Sequence, residues 1–236
     1  MKRFLVVLVS ATLFASTAVA QSKISNSLYK EGVQLGNEGK VEDALDKFQA
    51  AAALEPKVFL YQLKLAYAYE ILKRYPEAQA AYENAVALKK RSPEAHRGLA
   101  DVLRRVRFFE PSETHYKRAL KYRRKYKDAM KGLAILYAEK EDLGNAAKTY
   151  MKVFKSFPKD VDAAFKVANV YWQQKKLDEA IEYYRKAIEL DSGYHKARFG
   201  LGLALRDKGD VEGARSQLKK ACEAGIKQAC KRLFQL

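Results

Sequence analysis

Small and bulky side chains alternate along this chain with a fixed period. One column reads Ala44, Ala78, Ser112, Ala146, Ala180 and Ala214, each step being 34 residues. A second reads Phe48, Tyr82, Tyr116, Tyr150, Tyr184 and Leu218, and a third Ala51, Ala85, Ala119, Val153, Ala187 and Ala221. Upstream in each unit lie Gly32, Ala66, Ala100, Ala134, Ala168 and Gly202, followed three residues later by Leu35, Tyr69, Leu103, Tyr137, Tyr171 and Leu205. Within a unit the apolar positions recur at three- and four-residue spacing, which is helical. A Gly or Ala lets two helix backbones approach, and an aromatic ring fills the space beside it. Polar breaks separate the two halves of a unit: Gly36-Asn37-Glu38-Gly39-Lys40, Lys140-Glu141-Asp142 and Asp207-Lys208-Gly209-Asp210. Pro56, Pro158 and Asp191-Ser192-Gly193 stop helices between units.

The pattern predicts an all-α chain of six helix–turn–helix units at 25–58, 59–92, 93–126, 127–160, 161–194 and 195–228. One hairpin cannot bury its apolar face alone, so neighbours must stack. Residues 229–236 read as a short capping helix, with Leu233, Phe234 and Leu236 available to cover the last hairpin.

These columns resemble the tetratricopeptide repeat, whose 34-residue signature is W-x2-L-G-x2-Y, then A-x3-F, then P. Unit five carries it as Val167-Ala168, Tyr171, Ala180 and Tyr184, with Ser192 in the proline place. Unit one has Gly32, Ala44, Phe48 and Pro56, with Glu31 where the family has Leu; unit three has Ser112 for Ala and lacks the proline. The resemblance spans 25–228. It implies a right-handed superhelical solenoid in which the first helix of each pair lines a concave groove and the second forms the convex face. The family's concave positions map onto Tyr29, Leu63, Tyr67, Phe165, Asn169, Trp172, Phe199 and Leu203, and repeat position also puts Arg97, Arg104 and Arg105 on the groove. Aromatics beside Arg97, Lys131 and Arg206 suit an extended peptide or a partner helix, because aromatic and arginine side chains are common binding anchors. Each is also a candidate for packing against the adjacent repeat. The family's carboxylate-clamp residues are matched by Asn169 alone, so that specificity does not carry over.

The amino terminus is an address. Met1-Lys2-Arg3 is positive, residues 4–20 carry no charge, and Ala18-Val19-Ala20 is a small-x-small cleavage signal. This is the layout of a secretory signal peptide cut after Ala20, with 21–24 as a lead-in to the repeats. The alternative is a membrane anchor, for which 17 residues rich in Ala, Ser and Thr sit at the short limit. The expectation is a periplasmic or secreted protein with no membrane segment after cleavage.

Export bears on the cysteines. Cys222 falls late in the second helix of unit six and Cys230 in the capping helix. Two helices meeting at a tight turn bring Cα atoms within about 7 Å, as a disulfide requires. Both a bond and two buried thiols fit the spacing, and an oxidising compartment favours the bond.

Charge is concentrated. Of 236 residues, 45 are Lys or Arg and 28 Asp or Glu, a formal charge of +17, which loss of Lys2 and Arg3 lowers to +15. Residues 21–88 hold 8 basic and 9 acidic residues, 89–127 hold 14 and 4, and 128–236 hold 21 and 15. The dense segment includes Lys89, Lys90, Arg91, Lys121, Arg123, Arg124, Lys125 and Lys127. This is either a solvated surface or a contact for an acidic protein or an anionic envelope polymer. No nucleic-acid module is recognisable, and export argues against a genomic target. His96, His115 and His195 form no metal-ligand spacing, and no nucleophile or phosphate-loop motif occurs. The expectation is therefore a non-enzymatic interaction scaffold without metal or cofactor, its partner a protein segment or, alternatively, a polyanion.

Overall fold

The computed structural model describes residues 2–236 in backbone and 19–236 in side chain. The side chains of residues 1–18, and with them most of the expected signal segment, lie outside the described residues. Thirteen helices occur among the described residues and no strand. Two compact units divide the chain, Met1–Arg124 and Lys125–Leu236. The first holds α1 (Lys2–Asn37), α2 (Val41–Leu54), α3 (Phe59–Ile71), α4 (Tyr75–Leu88), α5 (Pro93–Arg105) and α6 (Phe109–Tyr122). The second holds α7 (Lys127–Glu139), α8 (Leu143–Ser156), α9 (Val161–Gln173), α10 (Leu177–Leu190), α11 (His195–Lys208), α12 (Val211–Glu223) and α13 (Lys227–Leu233). Each unit is a stack of three helical hairpins, and the chain is a helical repeat solenoid.

The turn inside each hairpin is identical in all six repeats. Gly39, Lys73, Arg107, Glu141, Lys175 and Gly209 all have positive φ, between 59° and 93°. The next residue donates its N–H to the carbonyl five residues back: Lys40 to Leu35, Arg74 to Tyr69, Phe108 to Leu103, Asp142 to Tyr137, Lys176 to Tyr171 and Asp210 to Leu205, at 2.8–3.0 Å. A left-handed residue with this long back-bond is the Schellman ending of a helix. Only the outer two repeats use glycine there. The inner four hold a side chain in a region that costs about 1 kcal/mol.

Packing follows the small–large columns. Ala44, Ala78, Ser112, Ala146, Ala180 and Ala214 are fully or almost fully buried, as are Phe48, Tyr82, Tyr116, Tyr150, Tyr184 and Leu218. A Cβ on Gly98 would overlap the Tyr82 ring and one on Gly200 the Tyr184 ring; one on Gly202 would lie 2.7 Å from Leu218 Cγ. Ser112, the exception in its column, is accommodated because its Oγ donates to the Ala100 carbonyl at 2.7 Å.

The expected lead-in at 21–24 is part of α1, where Gln21 Nε2 donates to the Leu54 carbonyl at 2.7 Å. Next to it, buried Ser25 bonds Glu55 and lies 3.3 Å from Tyr61 Oη. At the other end the capping helix starts at Lys227, two residues before the expected 229, because Ala224-Gly225-Ile226 turns the chain at once, with Gly225 at φ +89°. Cys222 and Cys230 form a disulfide with Cα atoms 4.7 Å apart. Leu233 and Leu236 pack on Leu218, Ala221 and Ala229 as expected, whereas Phe234 is 90% exposed.

Candidate interaction clefts

In the first unit, α1, α2 and α3 enclose a cleft of about 230 Å³. Val33, Gly36 and Phe48 form its floor, and Lys64, Tyr67 and Ile71 its rim. Gly36 leaves room beside Ala44, while Tyr67 and Ile71 are nearly half exposed despite their apolar bulk. The second unit repeats this cleft between α7, α8 and α9, at about 360 Å³. Its lining residues stand three repeats after those of the first: Ile135 for Val33, Tyr150 for Phe48, Lys166 for Lys64, Asn169 for Tyr67 and Gln173 for Ile71. Both therefore have an apolar floor and a lysine on the rim. The first adds an aromatic and an aliphatic side chain, the second two amides.

Within each unit, polar networks bridge the other neighbouring first helices, α3 and α5 in the first and α9 and α11 in the second. Between α3 and α5, Tyr82 Oη donates to Glu70 at 2.5 Å, and Arg97 pairs with Asp101 at 2.6 Å. Tyr116 Oη donates to the same Asp101 and accepts from Arg104 Nε at 3.3 Å. Burial pushes the Glu70 carboxyl above its ordinary range, opposed by the Tyr82 hydroxyl and Arg97. Burial, followed by the neighbouring carboxylates, likewise holds the Tyr82 and Tyr116 hydroxyls protonated. Between α9 and α11, Trp172 Nε1 donates to Asp207 Oδ2 at 2.8 Å, and Arg206 pairs with the same carboxylate at 2.8 Å.

Most of the expected groove residues sort into three kinds, and Leu203 is half-buried. Tyr67 stands open on the first cleft, and Asn169 lines the second while accepting from Tyr184 Oη at 2.7 Å. Tyr29, Leu63, Phe165 and Phe199 are half-buried against the core: Tyr29 on Phe48 and Tyr61, Phe165 on Tyr184 and Tyr194, Phe199 on Leu218 and Ala229. Arg97, Trp172 and Arg206 belong to the bridging networks. Lys131 pairs with Asp160 and Asp162, both at 3.0 Å, and braces the start of α9, where Asp160 caps Ala163 N–H. Arg104 departs from expectation: it is only 8% exposed, drawn inward by the Tyr116 hydroxyl rather than facing a groove. Arg105 is exposed.

Lys89, Lys90, Arg91, Lys121, Arg123 and Arg124 are all exposed on the first unit, as are Lys125 and Lys127 on the second. Lys127 pairs with Asp160 at 2.6 Å. Beneath the first group lies an arrangement that spacing did not suggest. His96 Nδ1 and His115 Nδ1 are 2.9 Å apart, and His96 Nε2 is 3.0 Å from the Lys90 carbonyl. A carbonyl only accepts, so His96 carries its proton on Nε2, and His115 donates from Nδ1. Burial, then His96 and Arg118, push the His115 imidazole down to about 4. No sequence signal joins two histidines 19 residues apart, apart from the place of His115 next to the Tyr116 column.

Among the described residues, no group of three or more His, Cys, Asp or Glu is placed to hold a metal ion, and no helix is long and apolar enough to cross a membrane.

Family models described as tetratricopeptide repeat match residues 161–194 and, in a second version, 29–93, 74–107, 97–153 and 193–229. An uncharacterised protein of Methanocaldococcus jannaschii, MJ0572, is 40% identical over 62 residues, which is 26% of this chain and 72% of that protein. Among solved structures, PilF of Pseudomonas aeruginosa superposes with a TM-score of 0.74 at 13% identity, covering 92% of this chain and all of that one. PilW, a type IV pilus biogenesis factor, gives 0.73 at 19% identity, covering 84% and 91%. YrrB, described as having an unusual peptide-binding site, gives 0.68 at 19% identity, covering 80% and 98%.

Proposed function

Because the chain belongs to the tetratricopeptide repeat family, whose members serve as protein–protein interaction scaffolds, we propose that it is an exported, non-enzymatic scaffold that holds a segment of a partner protein in its first-helix clefts. The observation that carries this reading is the cleft under Tyr67 and Ile71. Two large apolar side chains stand nearly half exposed around a preformed apolar floor, with Lys64 at the rim. Leaving them in water forgoes about 1–2 kcal/mol of burial each, which a ligand recovers. The complementary segment carries an apolar side chain for the floor and a carboxylate for the lysine. YrrB, a repeat protein with an unusual peptide-binding site, supports the same class of ligand. Export rests on the signal-like amino terminus, and the Cys222–Cys230 bond fits an oxidising compartment.

The test is selection of peptides from a random library on the chain from residue 21, followed by affinity measurement. Ile71→Asp, a surface change, is expected to weaken the selected peptides at least tenfold. Glu182→Ala, on the second-helix side of α10, is expected to leave them unchanged. Equal affinity for both variants would refute the assignment.

A further inference from the structure

Six exposed cations of the first unit are gathered in two short segments. Two consecutive inter-repeat loops carry Lys89-Lys90-Arg91 and, at the end of α6, Lys121, Arg123 and Arg124. Three contacts hold these loops side by side. His96 bonds the Lys90 carbonyl through Nε2 at 3.0 Å. The His96 ring stacks on Tyr122 with centroids 5.8 Å apart. Arg123 pairs with Glu94 at the start of α5. The His115 Nδ1 bond fixes the His96 ring in the orientation that all of this requires. Like charges are thereby brought to one edge around the buried His96 ring.

That edge is short of internal acceptors. Arg123 has Glu94, and Lys89 lies over the Phe59 ring at 5.1 Å. Lys90, Arg91, Lys121 and Arg124 are exposed and form no ion pair among the described residues. The second unit is less basic at the corresponding places: the loop after α8 carries Lys159 beside Asp160, which pairs with Lys127 and Lys131 of α7, and the loop after α10 reads Asp191-Ser192-Gly193.

From this juxtaposition we infer that the α4–α5 loop and the end of α6 form a binding edge for a linear, phosphate-rich polymer. The cations stand on separate loops, exposed and without an enclosing cavity, so a single phosphate finds no cage. A chain of phosphates engages several at once and gains by counterion release. This edge stands apart from the first-helix clefts, and each can fail without the other.

The measurement is fluorescence anisotropy of end-labelled, long-chain inorganic polyphosphate with the chain from residue 21. Binding is expected to show a log–log salt slope of about −3, as four or so contacts imply. Lys90→Glu/Arg91→Glu/Lys121→Glu/Arg124→Glu, with helicity checked by circular dichroism, is expected to lose at least 100-fold. Lys186→Glu/Lys208→Glu, in the second unit, is expected to lose less than threefold, and Ile71→Asp nothing. If the quadruple variant does not fold, Lys90→Gln/Arg124→Gln serves instead, with a loss of about tenfold and a shallower slope. Binding that survives these changes within threefold would overturn the proposal. So would binding to anionic phospholipid vesicles with none to the free polymer.

Discussion

Repeats one to three and repeats four to six share a plan and diverge in chemistry. Both units end each first helix in the same left-handed turn, seat a ring or a leucine on a Gly or Ala, and open one cleft between the first helix of one repeat and that of the next. In the first unit that cleft is edged by Tyr67 and Ile71, and the loops are strongly basic. In the second the same places hold Asn169 and Gln173, and Lys127 and Lys131 are paired with Asp160. The second unit also carries the staple, Cys222–Cys230. Backbone architecture is thus set by a few buried columns, and the exposed positions between them are free to differ. On the proposed function, this difference makes the first unit the one to probe for contact.

The shared architecture breaks most severely at its glycines. Gly98→Val and Gly200→Val drive a side chain into the Tyr82 and Tyr184 rings respectively, and each is expected to cost about 3 kcal/mol. Urea denaturation should show similar losses from the two units, since the packing is the same. Removing the staple acts on one unit only. The Cys222→Ser/Cys230→Ser pair is expected to cost about 2–3 kcal/mol in the chain-entropy picture. Hydrogen exchange should rise across α12 and α13 and stay unchanged across α1 to α6.

Acid discriminates the units in the other direction. His115 in the folded chain is held down to about 4 by burial and by His96 and Arg118, against an ordinary value of 6.5. Below about pH 6.5 the unfolded chain takes up a proton that the folded chain refuses, so stability falls as pH drops towards 4. Allowing for the partial exposure of the ring, the contribution is about 1 kcal/mol. His115→Gln should reduce the loss of stability between pH 7.5 and 5, read as the shift in urea midpoint. The smallest effect is a gain. Arg107→Gly and Lys175→Gly relieve left-handed side chains at equivalent turns and are each expected to stabilise by about 0.5–1 kcal/mol.

Much of this is legible in the sequence itself. The 34-residue columns identify every hairpin, since a buried ring and its small partner must recur in register for neighbours to stack. The Cys222–Cys230 turn is legible because its geometry is local. What escaped is long-range or conformational. Whether neighbouring first helices are bridged depends on pairs such as Trp172 and Asp207, or Glu70 and Tyr82, and a column of single positions does not display pairs. Arg104 reads as a surface cation until the Tyr116 hydroxyl is seen to receive it. Arg107 gives no glycine signal for a left-handed turn, because the surrounding hairpin imposes the conformation. Phe234 counts as apolar in any pattern, yet no surface of the described chain covers it.

The two first-helix clefts share one plan in two chemical versions. Asn169→Tyr with Gln173→Ile gives the second cleft the rim of the first. Isothermal titration of a peptide selected on the Tyr67 cleft should then rise from one to two sites per chain. A count that stays at one, in a variant as stable as the parent, would contradict that shared plan.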